Sequence, residues 1–446
     1  MQGLSEQERY KPYNSRTIRD TPYWQKLTPA LQEAMTVVAR VMPFRTNEYV
    51  LGTLIDWNNI PDDPIFRMTF PHKDMLLPDE YASLKQLIEQ DDAVAIKRRI
   101  EAIWLRMNPH PAGQLTHNGV TLDGKVLSGI QHKYRETVLF FPGAGQTCHA
   151  YCTFCFRWAQ FIGEEELKFN ARESQELVSY LRVHPEVTDV LITGGDPMIM
   201  NTRSLAGYIE PLLALPNLKS IRIGTKSVAY WPQRFVSDKD APQLLELFRR
   251  IVAAGKNLSI MGHYNHPVEI RQEIARQAVE RIRSTGATLR MQAPVIRHIN
   301  ENPADWAALW TEGVRLGAVP YYMFVERDTG PSHYFAMPLA RAFEIFQAAY
   351  RTVSGLARPV RGPSMSTFYG KVLINGIETV AGEKVFVLQF LQARNPQWVL
   401  RTFYARFDAQ ATWFDDLRPA FGERSFFFQP EPVAAPELIP VLLETA

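Results

Sequence analysis

Cys148-His149-Ala150-Tyr151-Cys152-Thr153-Phe154-Cys155 contains every cysteine of the chain. The spacing, C-x3-C-x2-C, is short enough for three thiolates to converge on one metal centre. The residues just before it, Thr137-Val138-Leu139-Phe140-Phe141, are mostly apolar and β-prone, and Pro142-Gly143-Ala144-Gly145 turns the chain into the cysteine loop. A loop that follows a strand is where α/β folds place their chemistry, so this stretch predicts a fold class and a site together. Three thiolates cannot close a four-thiolate cluster; a [4Fe–4S] cluster held by three leaves one iron open to a small molecule. Zinc bound by three cysteines and a histidine is the competing reading. His149 adjoins Cys148, and a neighbour in an extended loop is expected to point elsewhere. Inert buried thiols would leave the packing of all three into one short loop unexplained.

Downstream of the loop, short apolar segments alternate with amphipathic stretches. Candidate strands lie at 137–141, 189–193, 220–224, 258–261, 288–292 and 321–325, with helices such as 174–183, 244–254, 269–284 and 304–316 between them. Six strand–helix units in a row predict a parallel sheet with right-handed crossovers. Six units fall short of a closed eight-fold barrel. The expected fold class is therefore α/β, a partial (β/α)6 barrel over residues 116–350 that works at the C-terminal ends of its strands. Residues 1–115 read as an N-terminal helical region. Thr28-Pro29 is a cap and first-turn pair, followed by Leu31, Met35, Val38 and Val41 at helical spacing. A second helix with a charged outer face is expected over 82–104. Between them, Ile60-Pro61-Asp62-Asp63-Pro64-Ile65-Phe66-Arg67 is dominated by turn residues. Residues 351–446 read as a C-terminal module with strands at 371–375, 384–390 and 398–404, then Phe426-Phe427-Phe428 and a proline-rich 429–436.

The 446 residues are 46% hydrophobic and 22% charged, enough to bury a large core. A net charge of +2 gives no general reason to expect nucleic acid or a membrane surface as partner. The first nine residues are polar and mixed in charge, unlike a signal peptide, and no apolar run is long enough to span a bilayer. A cytoplasmic location is expected, and there a tight cysteine cluster favours metal binding over bridging.

A second constellation, Thr193-Gly194-Gly195-Asp196, ends the second predicted strand. Paired glycines let backbone approach a ligand closely, and Asp196 can accept from an ammonium group.

The cysteine spacing, with an aromatic residue (Phe154) before the third cysteine, resembles the signature loop of the radical S-adenosylmethionine (SAM) superfamily. Gly194, Gly195 and Asp196 resemble that superfamily's segment for the methionine amino group. Further matches narrow the resemblance to the lysine 2,3-aminomutase family. They are Arg157, two residues after Cys155; Leu191-Ile192-Thr193-Gly194-Gly195-Asp196-Pro197; Ile221-Arg222-Ile223-Gly224-Thr225-Lys226-Ser227 with Pro232-Gln233-Arg234; His263-Tyr264-Asn265-His266-Pro267; Gln292; Pro320-Tyr321-Tyr322; and, upstream, Asn58 to Pro64. The resemblance covers roughly residues 40 to 375.

It implies a [4Fe–4S] cluster on Cys148, Cys152 and Cys155, with SAM on the open iron and Gly194, Gly195, Asp196 and Gln292 near the cofactors. It also implies pyridoxal 5′-phosphate (PLP) on Lys371 and the PLP phosphate near His132-Lys133-Tyr134-Arg135. Arg157 would grip the substrate carboxylate. The implied enzyme is an isomerase that moves an α-amino group to the β-carbon of an amino acid. Its implied electron donor is a flavodoxin or ferredoxin, and it is expected to be a homo-oligomer. A radical SAM enzyme without PLP, or a non-catalytic Fe–S sensor or electron carrier, is the alternative. Two departures stand out. Only Gly370 remains of the family's glycine run before the lysine, and the two aspartates that hold a lysine side chain fall on Arg327 and Ser364. A cationic Arg327 repels an ammonium and attracts an acidic or otherwise anionic side chain, so an acidic or polar amino acid is expected in place of free lysine.

Overall fold

The computed structural model describes residues 10–109, 118–162 and 169–429. The N-terminal nonapeptide and most of the proline-rich stretch therefore lie outside the described residues.

A short ladder pairs β1 (Pro12–Asn14) with β2 (Arg45–Asn47). All other strands form one twelve-stranded sheet whose spatial order is the chain order. A hairpin, β3 (Gly119–Leu122) and β4 (Lys125–Tyr134), leads antiparallel into β5 (Thr137–Phe140). Then come β6 (Asp189–Ile192), β7 (Ser220–Thr225), β8 (Asn257–His263), β9 (Thr288–Val295) and β10 (Val319–Val325), each parallel to the last. These are the six predicted strands. A seventh parallel strand, β11 (Arg361–Ser366), follows the helix Leu339–Arg351. Antiparallel β12 (Gly370–Val380), β13 (Glu383–Ala393) and β14 (Thr402–Arg406) complete the sheet.

The sheet curls because helices cover one face only. Along β9, Leu289, Met291, Ala293 and Val295 are buried in the core, while Arg290, Gln292 and Pro294 alternate onto the other face. The helix Ala241–Ala253 buries Leu244, Leu247, Phe248 and Ile251, the helical spacing expected of a crossover packed on a sheet. The uncovered face lines a lumen. The two ends of the sheet meet through side chains and not through ladder bonds. Lys133 Nζ on β4 donates to the Thr367 carbonyl beside β11, and Arg394 Nη2 donates to Asn118 Oδ1 at 2.6 Å. The partial barrel of the sequence reading is thus an open sheet with a curled, side-chain-bridged seam.

Three expectations need correction. The helix expected over 82–104 is two helices, Pro78–Glu89 and Ala93–Met107. Asp91 breaks it at φ +53°, and Asp92 caps the second helix by accepting from Ala95 N at 3.0 Å. The strand expected over 398–404 begins only at Thr402, because Asn395 caps a short turn over Pro396–Trp398. The β3–β4 hairpin and β11 were not anticipated. Residues of the N-terminal region, such as Val38, Leu54 and Met75, share one core with barrel residues such as Ile192 and Ile223. Among the described residues no helix is long and apolar enough to cross a membrane.

Candidate active site

The cysteine loop is braced from two sides. From the N-terminal region, Arg45 Nη1 donates to Thr147 Oγ1 (2.9 Å) and to the Cys148 carbonyl (3.1 Å), and its own carbonyl accepts from Tyr151 N at 2.8 Å. Asp63 caps the helix Pro64–Thr69 through Phe66 N. That helix's end then receives the loop: Thr153 N donates to the Met68 carbonyl (2.9 Å) and Thr153 Oγ1 to the Arg67 carbonyl (2.8 Å). The turn-rich segment 58–64 therefore positions the helix that holds the cysteines.

On the other side lies the Gly-Gly-Asp segment. Gly195 N donates to the Gly145 carbonyl (3.1 Å) and Asp196 N to the Thr147 carbonyl (2.8 Å). A Cβ on Gly195 would stand 2.3 Å from the Thr147 oxygen, so the strand end touches the cysteine loop backbone to backbone. Gly194 sits at φ +145°, conformational space that favours glycine. Asp196 is buried and accepts from Thr225 Oγ1 (2.7 Å), Lys226 N (2.8 Å) and Met198 N (3.0 Å), with His149 Nε2 at 3.1 Å. Burial alone would raise this carboxyl; the hydrogen bond and charge of His149, then Thr225 and the Met198 amide, outweigh it and hold it below the ordinary range. Asp196 thus ties the cysteine loop to the ends of β6 and β7. His149 Nε2 is engaged by Asp196, while its Nδ1 is buried without a hydrogen-bond partner.

Cys148, Cys152 and Cys155 are unbridged. Burial first, and then the charges of Cys155, Asp196 and Cys152, push the Cys148 thiol well above its usual range. Three thiols in one another's field fit a cationic iron centre, which relieves that repulsion. Among the described residues no three His, Cys, Asp or Glu side chains are placed to ligate a single ion.

Arg157, just past the loop, stacks on Phe141 (4.1 Å to the ring centroid), and its Nη1 donates to Gln160 Oε1 at 3.2 Å. Arg327, just past β10, reaches the same region: both guanidiniums lie over Phe156, at 5.5 Å for Arg157 and 5.8 Å for Arg327. Burial lowers Arg157 to about 10; the Cys155 charge opposes this and the Arg327 charge adds to it. Arg327 also stacks on Trp413 of the C-terminal module, and its Nε is buried without a hydrogen-bond partner. Glu326 is the neighbouring carboxyl; burial pushes it well up, opposed by the charge and the backbone amide of Arg327. Sequence reasoning passed over Glu326 and Trp413, since nothing in their spacing shows that they approach the cysteine loop.

Lys371 opens β12 opposite Ser366 and is turned inward, its Nζ 4.1 Å from the Tyr322 ring centroid and 5.6 Å from that of Phe324. Among the described residues no carboxylate pairs with it. Burial, then the charges of Arg222 and Arg361, lower its amine to about 7. A neutral amine at physiological pH is what capture of an aldehyde cofactor needs, so Lys371 fits PLP. Ser364 is fully buried on β11, its Oγ 3.5 Å from the Met323 carbonyl. Gln292 lies 3.1 Å from His263 Nε2, and burial followed by the Lys226 charge lowers that imidazole to about 4. Lys226 is held by Glu269 (2.7 Å) and Asn265 (2.9 Å) beside Asp196.

No protein-family model matches the chain. Individual proteins do. One from Aquifex aeolicus (strain VF5), named "Putative L-lysine 2,3-aminomutase", is 32% identical over 407 residues, 91% of this chain and 96% of its own. L-lysine 2,3-aminomutase of Bacillus subtilis (strain 168) is 24% identical over 378 residues, 84% of this chain and 70% of its own. The Escherichia coli (strain K12) enzyme of that name is 29% identical over 248 residues, 54% and 68% of the two chains. Among solved structures, Streptococcus suis SuiB bound to S-adenosylmethionine shares 13% identity at a TM-score of 0.35 over 60% of this chain and 57% of its own, a likeness too loose to bear on function.

Proposed function

Since the chain belongs to the lysine 2,3-aminomutase-like family of radical SAM enzymes, we propose that it is a PLP-dependent 2,3-aminomutase acting on an acidic or polar α-amino acid, not on free lysine. The observation that carries the substrate class is the pairing of Arg157 and Arg327 over Phe156, two guanidiniums with no carboxylate bonded to either among the described residues. Such a pair suits a ligand with two anionic groups, each taken by a planar fork.

In this reading Cys148, Cys152 and Cys155 hold a [4Fe–4S] cluster whose open iron takes SAM. The cluster with SAM supplies hydrogen-atom abstraction, and PLP supplies the electron sink and nitrogen carrier. Asp196 keeps the cysteine loop docked on β6 and β7. Arg157 orients the α-carboxylate, and Arg327 the side-chain anion. Lys371 holds PLP, with Ser364 and Gln292 on the same lumen. Tyr322 and Phe324 cover the Lys371 amine, and its burial, with the charges of Arg222 and Arg361, lowers it. The same reading includes reduction by a flavodoxin or ferredoxin, a homo-oligomeric state and a cytoplasmic location.

The test is anaerobic reconstitution with iron, sulfide and PLP, followed by borohydride. A pyridoxyl label on Lys371 is expected, with labelling that rises through about pH 7 and not through the ordinary lysine range near 10, because the amine is an ammonium only below its lowered pKa. No label on Lys371 at any pH sinks the PLP reading. For the substrate, Arg327→Asp is expected to cut 5′-deoxyadenosine formation with acidic amino acids by about 100-fold and raise it with basic ones. If acidic amino acids support no turnover in either enzyme, the substrate class is wrong.

A further inference from the structure

We propose that Arg290 and Arg361, arranged about Tyr321 in the lumen, form the clamp that takes the phosphate of a PLP carried on Lys371. The inference rests on the reading that Lys371 holds PLP. It differs from the family expectation, which placed the phosphate near His132–Arg135, where the Tyr134 hydroxyl is buried without a hydrogen-bond partner but the basic side chains are turned outward or engaged. His132 faces outward, with Nδ1 2.8 Å from Tyr180 Oη and Nε2 3.1 Å from the Arg135 carbonyl. Arg135 is exposed. Lys133 Nζ is already spent on the Thr367 carbonyl and lies 3.5 Å from Ser366 Oγ.

The lumen offers a better place. Arg361 opens β11 and Arg290 lies early in β9, so both project from the N-terminal halves of the two strands that flank β10, which carries Tyr321. Arg290 stands 5.3 Å and Arg361 4.5 Å from the Tyr321 ring centroid. Arg361 also lies 4.2 Å from the Tyr322 centroid, the same ring that carries Lys371 Nζ at 4.1 Å. One ligand can therefore reach the lysine at one end and the guanidiniums at the other. The third arginine near Lys371 is neutralised: Arg222 forks onto Asp189, with Nε 2.9 Å from Oδ1. Arg290 and Arg361 have no such carboxylate among the described residues. Stacking on tyrosine holds a guanidinium plane while leaving its N–H edge free, the geometry that takes a phosphate bidentately. Two unpaired guanidiniums and a buried amine repel one another, and a dianionic phosphate relieves that repulsion.

The experiment titrates PLP and pyridoxal, which lacks the phosphate, against the full chain and scores the borohydride-fixed label on Lys371. Wild type is expected to favour PLP over pyridoxal by about 100-fold, since each charged hydrogen-bonding partner is worth roughly a tenfold or greater effect. Arg361→Gln and Arg290→Gln should each weaken PLP by about tenfold or more and leave pyridoxal unchanged, pyridoxal serving as the control for folding. Arg361→Lys should recover part of the loss. Equal weakening of both compounds, or of neither, overturns the clamp while leaving PLP on Lys371 intact. If wild type takes no label at all, the PLP reading fails by itself, and calorimetric titration with inorganic phosphate decides the clamp. Binding by wild type that Arg361→Gln loses keeps it as a phosphate site, and no binding by wild type ends it.

Discussion

Gly195→Ala should reconstitute with about a tenth or less of the wild-type iron and sulfide and melt at a lower temperature. The added methyl would stand 2.3 Å from the Thr147 oxygen and 2.6 Å from both its carbonyl carbon and its nitrogen. All three are backbone atoms, so no rotamer change relieves the clash. Thr147 is also fixed from both sides, its carbonyl accepting from Asp196 N and its hydroxyl from Arg45. The cysteine loop must move off the end of β6, at a cost near the upper end of the roughly 1–3 kcal/mol typical of overpacking. Gly207→Ala is the contrast. Gly207 lies in the helix Thr202–Leu213 with nothing within 4 Å of an added Cβ, so it should load normally and gain about 0.5–1 kcal/mol from helix propensity. Normal iron content in Gly195→Ala would show that the glycine pair does not serve to seat the loop.

Lys371→Ala should lose the PLP label entirely and reduce turnover by about 10⁴-fold or more, the scale expected when a covalent anchor and its positioning are removed together. It should also change how stability depends on pH. The folded amine titrates near 7, whereas the unfolded lysine titrates near its ordinary 10.5. Between those values the unfolded state binds more protons, so wild-type apoprotein gains stability as pH rises from about 7 to 10. Below pH 7 both states carry the charge, and the folded state bears the full cost of burying it. Lys371→Ala should flatten that rise and be relatively more stable at pH 6 than at pH 10. The flattening is partial, because burial and the nearby cations Arg394, Arg327 and Lys371 also lower Lys133 to about 6. Thermal midpoints of the two apoproteins across that range test it; parallel curves would place the Lys371 amine in water.

The six parallel strands were legible because each is a short apolar segment set off by an amphipathic helix, a local pattern. β11 was not, since Gly362, Pro363, Ser364 and Ser366 do not resemble a strand; its pairing with β10 and β12 creates it. The break at Asp91 turned on one left-handed residue, which composition does not show.

The site divides the same way. Three thiols within one loop are a covalent fact of the chain, so the cysteines point to a metal centre without any fold. Gly194 and Gly195 were visible as a motif, yet their contact with Gln146 and Thr147 exists only once β6 meets the loop. Arg157 and Arg327 are 170 positions apart and acquire a joint meaning over Phe156. Lys371 reads in sequence like any lysine opening a strand. The curled sheet turns it onto Tyr322, strips its water and sets it beside Arg361, and charge in a desolvated space depends on what surrounds it and not on what precedes it in the chain. Sequence alone determined the cluster loop and the family of chemistry. Tertiary structure decided which cations stand unpaired around the lumen, because pairing depends on what folding brings beside each charge.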